Sequence, residues 1–456
     1  MRNIIPEQVI DDNTISTKVD CFFKINKIYK ALSKCGFYKE KGFSCIQICK
    51  SLFSLVFQGK NLYRVLTMET GQVDFKKNTA YRFLNNPSYN WRKLLLILVT
   101  QIIYTINKLT SEDRKNVIIV DDTLFDRNRS KSVELLARVF DHTTHRFVKG
   151  LKMLTLGWSD GNTFLPVAFS MLSSQRSKNR LCDINQKIDK RTVGYKRRLE
   201  AISKMTDTMF DLLEHVKGLP AQYILFDSWY AFPATIARII EDFKKHVVCM
   251  LKKSSRIHFF YNGQWMPLKE LYKQLPQSTD KNIRGELVVG IRRNKKSDPI
   301  NVKIVFVSDR RSDDWLAILS TDLDIPADEI IRLYGKRWDI EVFFKMSKSN
   351  LALAKEFQGR SYDMMIAHTT IVFLRYIMLA VESRNSKDMR TVELFYYVCD
   401  ELTDIKYAEA LLLLLELLKN LLSGVALLPE KQVNEIMDLF ISSLPKVFKQ
   451  RLKLCA

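Results

Sequence analysis

The chain has 456 residues, of which 46% are hydrophobic and 11% aromatic, which is enough apolar material for about two to four packed domains. Lysine and arginine number 72 against 50 acidic residues, so the formal net charge is +22. This excess favours a polyanionic partner, with nucleic acid first and an anionic membrane surface second. The eight cysteines include no CxxC pair, and they form no zinc-type spacing with the six histidines, so they fit a reducing compartment.

Three segments bear on location. The first residues, MRNIIPEQVIDDN, lack the apolar core of a signal peptide. Residues 369–382 and 410–428 are strongly apolar, but the first contains Arg375, and the second contains Glu416 and Lys419. A charge at the centre of a bilayer costs about 2.5–3.5 kcal/mol on insertion scales, so we predict buried helices and no membrane contact. The expected location is cytoplasmic.

Residues 1–110 predict a basic helical segment with 17 lysines and arginines against 7 acidic residues. Apolar residues recur there at helical spacing. Residues 61–86 have the pattern of a helix-turn-helix unit with Gly71 in the turn. Its second helix would carry the major-groove candidates Lys76, Lys77, Tyr81 and Arg82. The alternative is a plain helical bundle with a basic, solvated face.

The next segment predicts a central strand that ends in two acids. Val117–Val120 is an unbroken β-branched run, as in a strand buried on both faces, and Asp121-Asp122-Thr123 follows it. Neighbouring residues on a strand point to opposite faces, so one of the two aspartates would face a site. A simple Asp-rich turn is the alternative. Two further apolar runs around the Asp160-Gly161-Asn162 turn predict an antiparallel hairpin.

A second strand, Tyr223–Phe226, ends at Asp227 and is followed by a helix from about Phe232. Acids at the carboxyl ends of neighbouring strands converge at one edge of an α/β sheet. Between the two strands, residues 176–198 hold nine lysines and arginines against two aspartates. We predict a mobile loop that contacts phosphates and becomes a helix near Lys196, with a solvated charge run as the alternative.

Residues 251–322 contain short β-like runs and predict a β-rich insertion. After it, Glu329–Lys348 predicts one long helix that is apolar, and therefore buried, on most sides. Four polar residues would share one face of this helix, because their offsets are close to whole turns: Tyr334, Arg337, Glu341 and Lys348. A buried Glu341 needs a cation, which is either Arg337 one turn away or a metal ion.

The spacing Tyr334-x2-Arg337-x3-Glu341-x6-Lys348 resembles the Tyr-Arg-Glu-Lys signature of bacterial insertion-sequence DDE transposases of the insertion-sequence-four family. The Asp-Ser-Trp-Tyr sequence that begins at Asp227 is similar to the second catalytic motif of that family. The resemblance extends over residues 75–385 and fades at both ends.

The resemblance implies an α/β fold with an RNase H-like, retroviral-integrase-like catalytic core. It also implies a helical DNA-binding domain at 1–110, a core in two parts and a helical C-terminal region. The core would comprise 111–250 and 323–384, separated by the insertion at 251–322, and the C-terminal region would be 385–456.

Three carboxylates would be catalytic in such an enzyme and would hold Mg²⁺, for which Mn²⁺ can substitute: Asp122, Asp227 and Glu341. Asp122 is chosen over Asp121 because the family's first aspartate directly precedes a threonine. Tyr334, Arg337 and Lys348 would bind the DNA backbone. Trp315 would stack on a flipped-out base, with Trp265 as its rival and a core position for Trp315 as the alternative.

The resemblance therefore predicts a cut-and-paste transposase. It would bind double-stranded DNA at terminal inverted repeats and at a target, cleave by two-metal chemistry, with hairpin ends as one route, and join the ends as a homodimer. Two alternatives stay open: a catalytically silent DNA-binding regulator, and a metal-dependent nuclease without strand transfer. The C-terminal leucine-rich helices carry no chemical motif.

Overall fold

The computed structural model describes residues 17–67, 75–111, 114–141, 144–276, 282–309, 312–355, 359–386, 388–424 and 428–444. Within these ranges the chain forms a mixed α/β structure around an 11-stranded mixed sheet. The sheet buries its apolar side chains against helices, which is how α/β proteins form a continuous core. The predicted α/β class is therefore confirmed.

Residues 17–108 contain helices and no strand among the residues described there. The helices are α1 (Lys18–Ile25), α2 (Ile28–Lys34), α3 (Cys45–Ser54), α4 (Leu62–Thr67), α5 (Lys77–Leu84) and α6 (Trp91–Lys108). α1 and α3 each begin with a capping box, at Thr17 and Ser44, which satisfies backbone N–H groups of the first turn. The predicted turn at Gly71 lies outside the described residues, between α4 and α5.

The centre of the sheet is formed by the next part of the chain. Its elements are β1 (Val117–Asp126), β2 (Ala137–Asp141), β3 (Arg146–Ser159), β4 (Phe164–Leu172), α7 (Val193–Ala201), α8 (Met205–Val216), β5 (Tyr223–Phe226), α9 (Pro233–Arg238) and β6 (His246–Met250). β3 pairs antiparallel with β1, β2 and β4, so the predicted hairpin is confirmed. β5 lies parallel to both β1 and β6.

β1 is longer than the sequence predicted, because it continues through both acids to Asp126. β3 is 14 residues long and gives every residue of β1 a partner, including Thr155 for Asp121 and Leu154 for Asp122. The prediction that the strand ends at Val120 was therefore wrong. Because the two aspartates stand inside a regular strand, their side chains lie on opposite faces of the sheet.

The insertion adds further elements: β7 (His258–Tyr261), β8 (Gln264–Pro267), α10 (Leu268–Lys273), β9 (Ile283–Ile291), β10 (Ile300–Ser308) and β11 (Trp315–Ser320). These strands do not form a separate sheet. β11 pairs antiparallel with β6, and the strand order runs β3-β1-β5-β6-β11-β10-β9-β7-β8. Without the insertion, β6 would be the edge strand of the central sheet. The strands of the insertion extend the sheet beyond β6.

The remaining elements are helical: α11 (Ala327–Gly335), α12 (Trp338–Ser349), α13 (Tyr362–Asn385), α14 (Thr391–Gly424) and α15 (Glu430–Ser443). The single helix predicted over Glu329–Lys348 is two helices. Backbone bonds from Lys336 and Arg337 reach back only three residues, to Leu333 and Tyr334, which tightens the turn between α11 and α12. The prediction of burial on most sides was also wrong, because Trp338 and Val342 are exposed.

α13 is, within the described ranges, the helix long and apolar enough to cross a membrane by length and composition. Its apolar window is fully buried inside the protein. Arg375, in its middle, donates hydrogen bonds to the backbone carbonyls of Leu52 and Phe53. A charge satisfied in this way fits the core position predicted for residues 369–382. Part of the second segment, 410–428, lies outside the described residues.

Candidate active site

One face of β1 carries Asp121 and Thr123, and α12 packs against this face. Arg337, at the start of α12, places Nη1 3.3 Å from Asp121 Oδ2. The other terminal nitrogen of Arg337 pairs with Glu341 one turn later. Lys348, two turns beyond Glu341, donates from Nζ to Thr123 Oγ1 at 2.6 Å. α12 therefore brings three residues of the predicted signature to the Asp121 face.

Asp227 joins this group from the neighbouring strand. β5 lies parallel to β1, and Val120 pairs with Phe226. Asp121 and Asp227 are the next residues on the two strands, so they lie side by side. Burial raises the pKa of Asp121 to about 7, the charge of Asp227 adds to the rise, and Arg337 opposes it. The raised pKa shows that like charges are gathered here in a partly desolvated place.

Asp122 faces the other way and is held by different partners. Its Oδ2 lies 2.9 Å from Lys152 Nζ on β3, and its Oδ1 accepts a hydrogen bond from the Tyr230 hydroxyl at 2.9 Å. That hydroxyl also lies 3.0 Å from Met205 Sδ at the start of α8. Burial, followed by the charge of Asp122, raises the pKa of Tyr230 well above its ordinary value. Asp122 is therefore a hydrogen-bonded ion-pair partner.

The structure thus brings together two of the three predicted carboxylates, Asp227 and Glu341, and adds Asp121 to them. It places Asp122, the predicted first carboxylate, on the opposite face of β1. The sequence did contain the relevant signal, because strand alternation predicted that only one of the two aspartates faces the site. It contained no signal for which face α12 covers, and the choice made from the resemblance favoured the other residue.

Arg337 stands at the centre of the group. Besides its two carboxylate partners, its guanidinium lies 5.8 Å from the centre of the Tyr334 ring. Tyr334 is half-buried, and burial raises the pKa of its hydroxyl. Burial also lowers the pKa of Lys348. Tyr334, Arg337 and Lys348 are therefore all close to the carboxylates, although α11 and α12 are separate helices.

The carboxylates have the donor chemistry that Mg²⁺ and Mn²⁺ prefer, since every candidate ligand is an oxygen. Among the residues that the structure describes, no three acidic, histidine or cysteine side chains stand in a ready-made metal cluster. The guanidinium of Arg337 contacts both Asp121 and Glu341 instead. The residues fit a divalent cation that would take over the charge compensation that Arg337 now provides.

Trp315, the predicted base-stacking residue, is only 8% exposed. The Tyr272 ring stacks on it with centroids 4.5 Å apart and planes 11° apart. The ammonium of Lys253 lies 4.1 Å from the ring centre of Trp315. Both faces of this indole are covered, which is the alternative, core position. Trp265, the other candidate for base stacking, also has a cation over its ring, because the Arg292 guanidinium lies 4.0 Å from the ring centre.

The basic stretch at 176–198 divides into two kinds of cation. Arg198 is fully buried and pairs with Glu134 at 2.7 Å and with Asp363 at 2.8 Å. Arg197 beside it is also buried, and burial lowers its pKa to about 10. These two arginines belong to the core, so the prediction of phosphate contact was wrong for them. The outer cations are exposed: Arg176, Lys178, Lys187, Lys190, Arg191 and Lys196.

In the N-terminal helices, Lys76, Lys77 and Arg82 are exposed on or beside α5. A surface cavity of about 480 Å³ lies between α5 and the loop before α3. It is lined by Tyr38, Lys39, Lys41, Gly42, Phe43, Thr79, Arg82, Phe83, Asn86 and Tyr89. The arrangement gives this part of the chain a positively charged surface, as the composition predicted.

Two protein-family models match the chain. The first, DDE superfamily endonuclease, matches residues 54–279, and the second, Transposase DDE domain, matches residues 200–378. Asp121, Asp122 and Asp227 lie in the first match, and Asp227 and Glu341 lie in the second. The two matches support a DDE transposase with nuclease-type chemistry and imply DNA as its substrate. No curated protein matches the chain.

Proposed function

We propose that the chain is a cut-and-paste DNA transposase of the insertion-sequence-four type. The observation that carries the proposal is that Asp121 and Glu341 share Arg337 and that Asp227 lies near Asp121, past the paired ends of β1 and β5. Two acids that share one cation, with a third acid near them, form an arrangement that costs stability unless it serves a bound ion or substrate. DNA is the substrate that the family matches and the net charge of +22 both favour.

The fold assigned to this enzyme is RNase H-like. Its support is the strand order β4-β3-β1-β5-β6, in which β3 is antiparallel to its neighbours and β5 and β6 run parallel to β1. We propose the domain boundaries of the sequence prediction, with a DNA-binding helical segment at 1–110 and a helical region from residue 385 onward. Synapsis of two ends implies a homodimer on DNA in the cytoplasm.

In the proposed reaction Asp121, Asp227 and Glu341 would hold divalent metal ions through carboxylate oxygens. Bound Mg²⁺ or Mn²⁺ would activate the attacking water or 3′-hydroxyl and stabilise the leaving 3′-oxygen. Arg337 moves from its carboxylate partners to a backbone phosphate, and Lys348 contacts the strand end beside it. No side chain forms a covalent bond with DNA in this scheme. Asp122 holds Tyr230 and so positions the loop that begins at Asp227.

Cleavage by the purified protein tests this function. The DNA that flanks the gene in its genome is incubated with the protein and Mg²⁺, and strand breaks are mapped. Wild type is expected to cut at inverted repeats, and Glu341→Gln is expected to bind the same ends without cutting. Asp339→Asn is the matched control, because Asp339 is on the same helix but bonds to Ser159.

The outcomes separate the candidate functions. Cutting followed by joining of 3′ ends to a target supports the transposase, and end-labelled products that migrate as hairpins identify that route. Cutting without joining supports a nuclease. Binding of the ends without cleavage, under Mg²⁺ and under Mn²⁺, contradicts catalysis and supports the regulator. Absence of both binding and cleavage would contradict the proposal.

A further inference from the structure

The surface cavity beside α5 is lined by cations and aromatic rings, and by no acidic side chain among the residues that the structure describes. Its volume of about 480 Å³ lies in the range of small-molecule sites, roughly 300–1,000 Å³. Lys39 and Lys41 come from the loop before α3, and Arg82 comes from α5. Glu40, between the two lysines in the chain, does not line the cavity. Positive charge on both walls favours an anionic ligand.

The fold does not neutralise these three cations. Lys39, Lys41 and Arg82 form no ion pair with a residue in the described part of the chain. The Nε of Arg82 donates within its own helix, to the carbonyl oxygen of Asn78 at 3.2 Å. Arg198 differs, because Glu134 and Asp363 compensate it, as described above. Three like charges around one cavity repel one another, and a bound phosphate would offset that repulsion.

The two walls of the cavity are fixed to each other by buried contacts. Tyr89 is buried and stacks on Phe37, with ring centres 4.3 Å apart, and its hydroxyl donates to the carbonyl oxygen of Tyr38 at 3.2 Å. The backbone N–H of Asn90 donates to the carbonyl oxygen of Cys35 at 3.0 Å. The loop before α3 is therefore held against the segment after α5. A cavity that is formed before its ligand arrives loses little entropy on binding.

The cavity also offers flat apolar surface and neutral polar groups. The Tyr38 side chain is 73% exposed, and Phe43 packs edge-on against Phe75, with ring centres 5.9 Å apart. Thr79 and Asn86 add a hydroxyl and an amide to the lining. An inorganic anion would use the cations alone. A nucleotide would use all three kinds of group, because it joins a phosphate to a flat base that has hydrogen-bonding edges.

We propose that the cavity between α5 and the loop before α3 binds a nucleotide, with its phosphate at the three cations and its base against the Tyr38 ring. The ligand chemistry is a nucleoside phosphate, supplied as a free mononucleotide or as one nucleotide of a DNA single strand. The site goes beyond the proposed function, because it needs none of the carboxylates around Arg337. A bound nucleotide lowers the positive charge of the helical segment, so it weakens the binding of duplex DNA there.

Fluorescence of mant-labelled AMP, titrated with the full chain in EDTA, measures binding at this site. The chelator removes the metal ions through which a phosphate could bind at the candidate active site. Unlabelled AMP is expected to displace the label at least about tenfold more effectively than adenosine or inorganic phosphate, because each of these lacks half of the contacts. A single-stranded DNA hexamer is titrated in parallel as the second source of the same chemistry.

Two variants test the phosphate contacts and the base contact separately. The double variant Lys39→Gln/Lys41→Gln is expected to weaken AMP binding about tenfold, and Tyr38→Ala about fivefold. The matched control is Lys34→Gln/Lys93→Gln, which removes the same charge from exposed lysines of the same helical segment that do not line the cavity. This control is expected to change AMP binding by less than about twofold. Thermal melting verifies that each variant is folded.

Loss of AMP binding in the cavity variants alone supports the free mononucleotide as the ligand. Loss of hexamer binding in the same variants, without AMP binding in the wild type, identifies the DNA strand as the source. Equal displacement by inorganic phosphate and AMP, equal effects of the cavity and control variants, or no binding of AMP and hexamer would each overturn the inference. DNA cleavage in Mg²⁺ is assayed separately, so a failure of the proposed function is distinguished from a failure of this site.

Discussion

The two faces of β1 place adjacent aspartates in opposite electrostatic surroundings. Asp121 and Asp122 are equally accessible, with side-chain exposures of 15% and 16%. Asp121 faces Asp227 and shares Arg337 with Glu341, and its pKa is raised to about 7 by burial and then by Asp227. Asp122 faces Lys152 and Tyr230, which supply one ion pair and one hydrogen bond.

Asp121 and Asp122 differ in how far the fold itself compensates their charges. Asp122 is compensated by partners that the fold supplies, so its charge serves the local structure. Asp121 lies near Asp227, shares the Arg337 cation with Glu341 and accepts one backbone N–H, from Asp122, so its charge is only partly compensated within the chain. Side-chain exposure alone would not have distinguished Asp121 from Asp122 as a candidate metal ligand. The comparison is the reason why we propose the metal-binding role for the face of β1 that α12 covers.

The largest expected effect is on the rate of DNA cleavage, when the carboxylates on the two faces of β1 are replaced. Asp121→Asn, Asp227→Asn and Glu341→Gln should each lower DNA cleavage by at least about a thousandfold, because metal ions contribute several kcal/mol to the transition state. Asp122→Asn keeps a hydrogen-bonding side chain and should lower cleavage by about tenfold or less. Rates are measured on one end-labelled substrate under single-turnover conditions. A loss in Asp122→Asn equal to that in Asp121→Asn would break the comparison.

The second effect is on stability and depends on pH. The pKa of Asp121 is raised in the folded protein from 3.8 to about 7, so the folded state holds a proton that the unfolded state releases. The free energy of unfolding therefore falls as pH rises from about 4 to about 7 and levels off above that range. Asp121→Asn removes this fall, so it should stabilise the metal-free protein at pH 8 by roughly 1–4 kcal/mol.

Urea unfolding between pH 5 and pH 8 in a chelator measures this difference. The gap between Asp121→Asn and wild type should grow with pH. Asp339→Asn removes a second buried acid of raised pKa, so its gap from wild type should grow in the same direction. A gap that is constant over this range would contradict the raised pKa of Asp121.

The third effect concerns the supporting face. Tyr230→Phe removes the hydroxyl that donates to Asp122, and a bond to a charged group contributes about 1.5–3 kcal/mol. We expect a loss of about 2 kcal/mol in the free energy of unfolding, measured in urea. Tyr396→Phe, at an exposed position, should change stability by less than about 0.5 kcal/mol. Equal stabilities of Tyr230→Phe and wild type would contradict the supporting role.

The smallest effect is expected at Arg337. Arg337→Gln removes the cation that competes with metal for Asp121 and Glu341, whose side chains are 15% and 32% exposed, and we take about 1 kcal/mol as the size of this competition. Mn²⁺ should therefore bind up to about fivefold more tightly in the absence of DNA, as measured by calorimetry. DNA-end binding should weaken in the same variant. Weaker Mn²⁺ binding would mean that Arg337 organises the carboxylates instead of competing for them.

Much of the core could be predicted from sequence because its signals are local. The β-branched run before Asp121, the hairpin turn at Asp160 and the strand that ends at Phe226 each specify their own structure. The signature around Glu341 also predicted which side chains meet. The break between α11 and α12 had a local signal that the prediction did not use, because α11 ends at Gly335 and glycine has a low helix propensity.

The features that the sequence left undecided share one physical cause, which is that they depend on contacts between distant segments. The face of β1 that α12 covers decides between Asp121 and Asp122, and no local pattern encodes it. The burial of Trp315 depends on Tyr272 and Lys253 from other elements of the insertion. Arg198 lies in a charged run that looks solvated, but Glu134 and Asp363 reach it through the fold.

Direct measurement of metal binding tests the central claim. Mn²⁺ is titrated into wild type, Asp121→Asn and Asp122→Asn at pH 8, and the free ion is followed by electron paramagnetic resonance. The account predicts that Asp121→Asn loses Mn²⁺ binding, while Asp122→Asn retains it within a few-fold of wild type. Loss of binding in Asp122→Asn with retention in Asp121→Asn would contradict the account and return the metal site to the other face of β1.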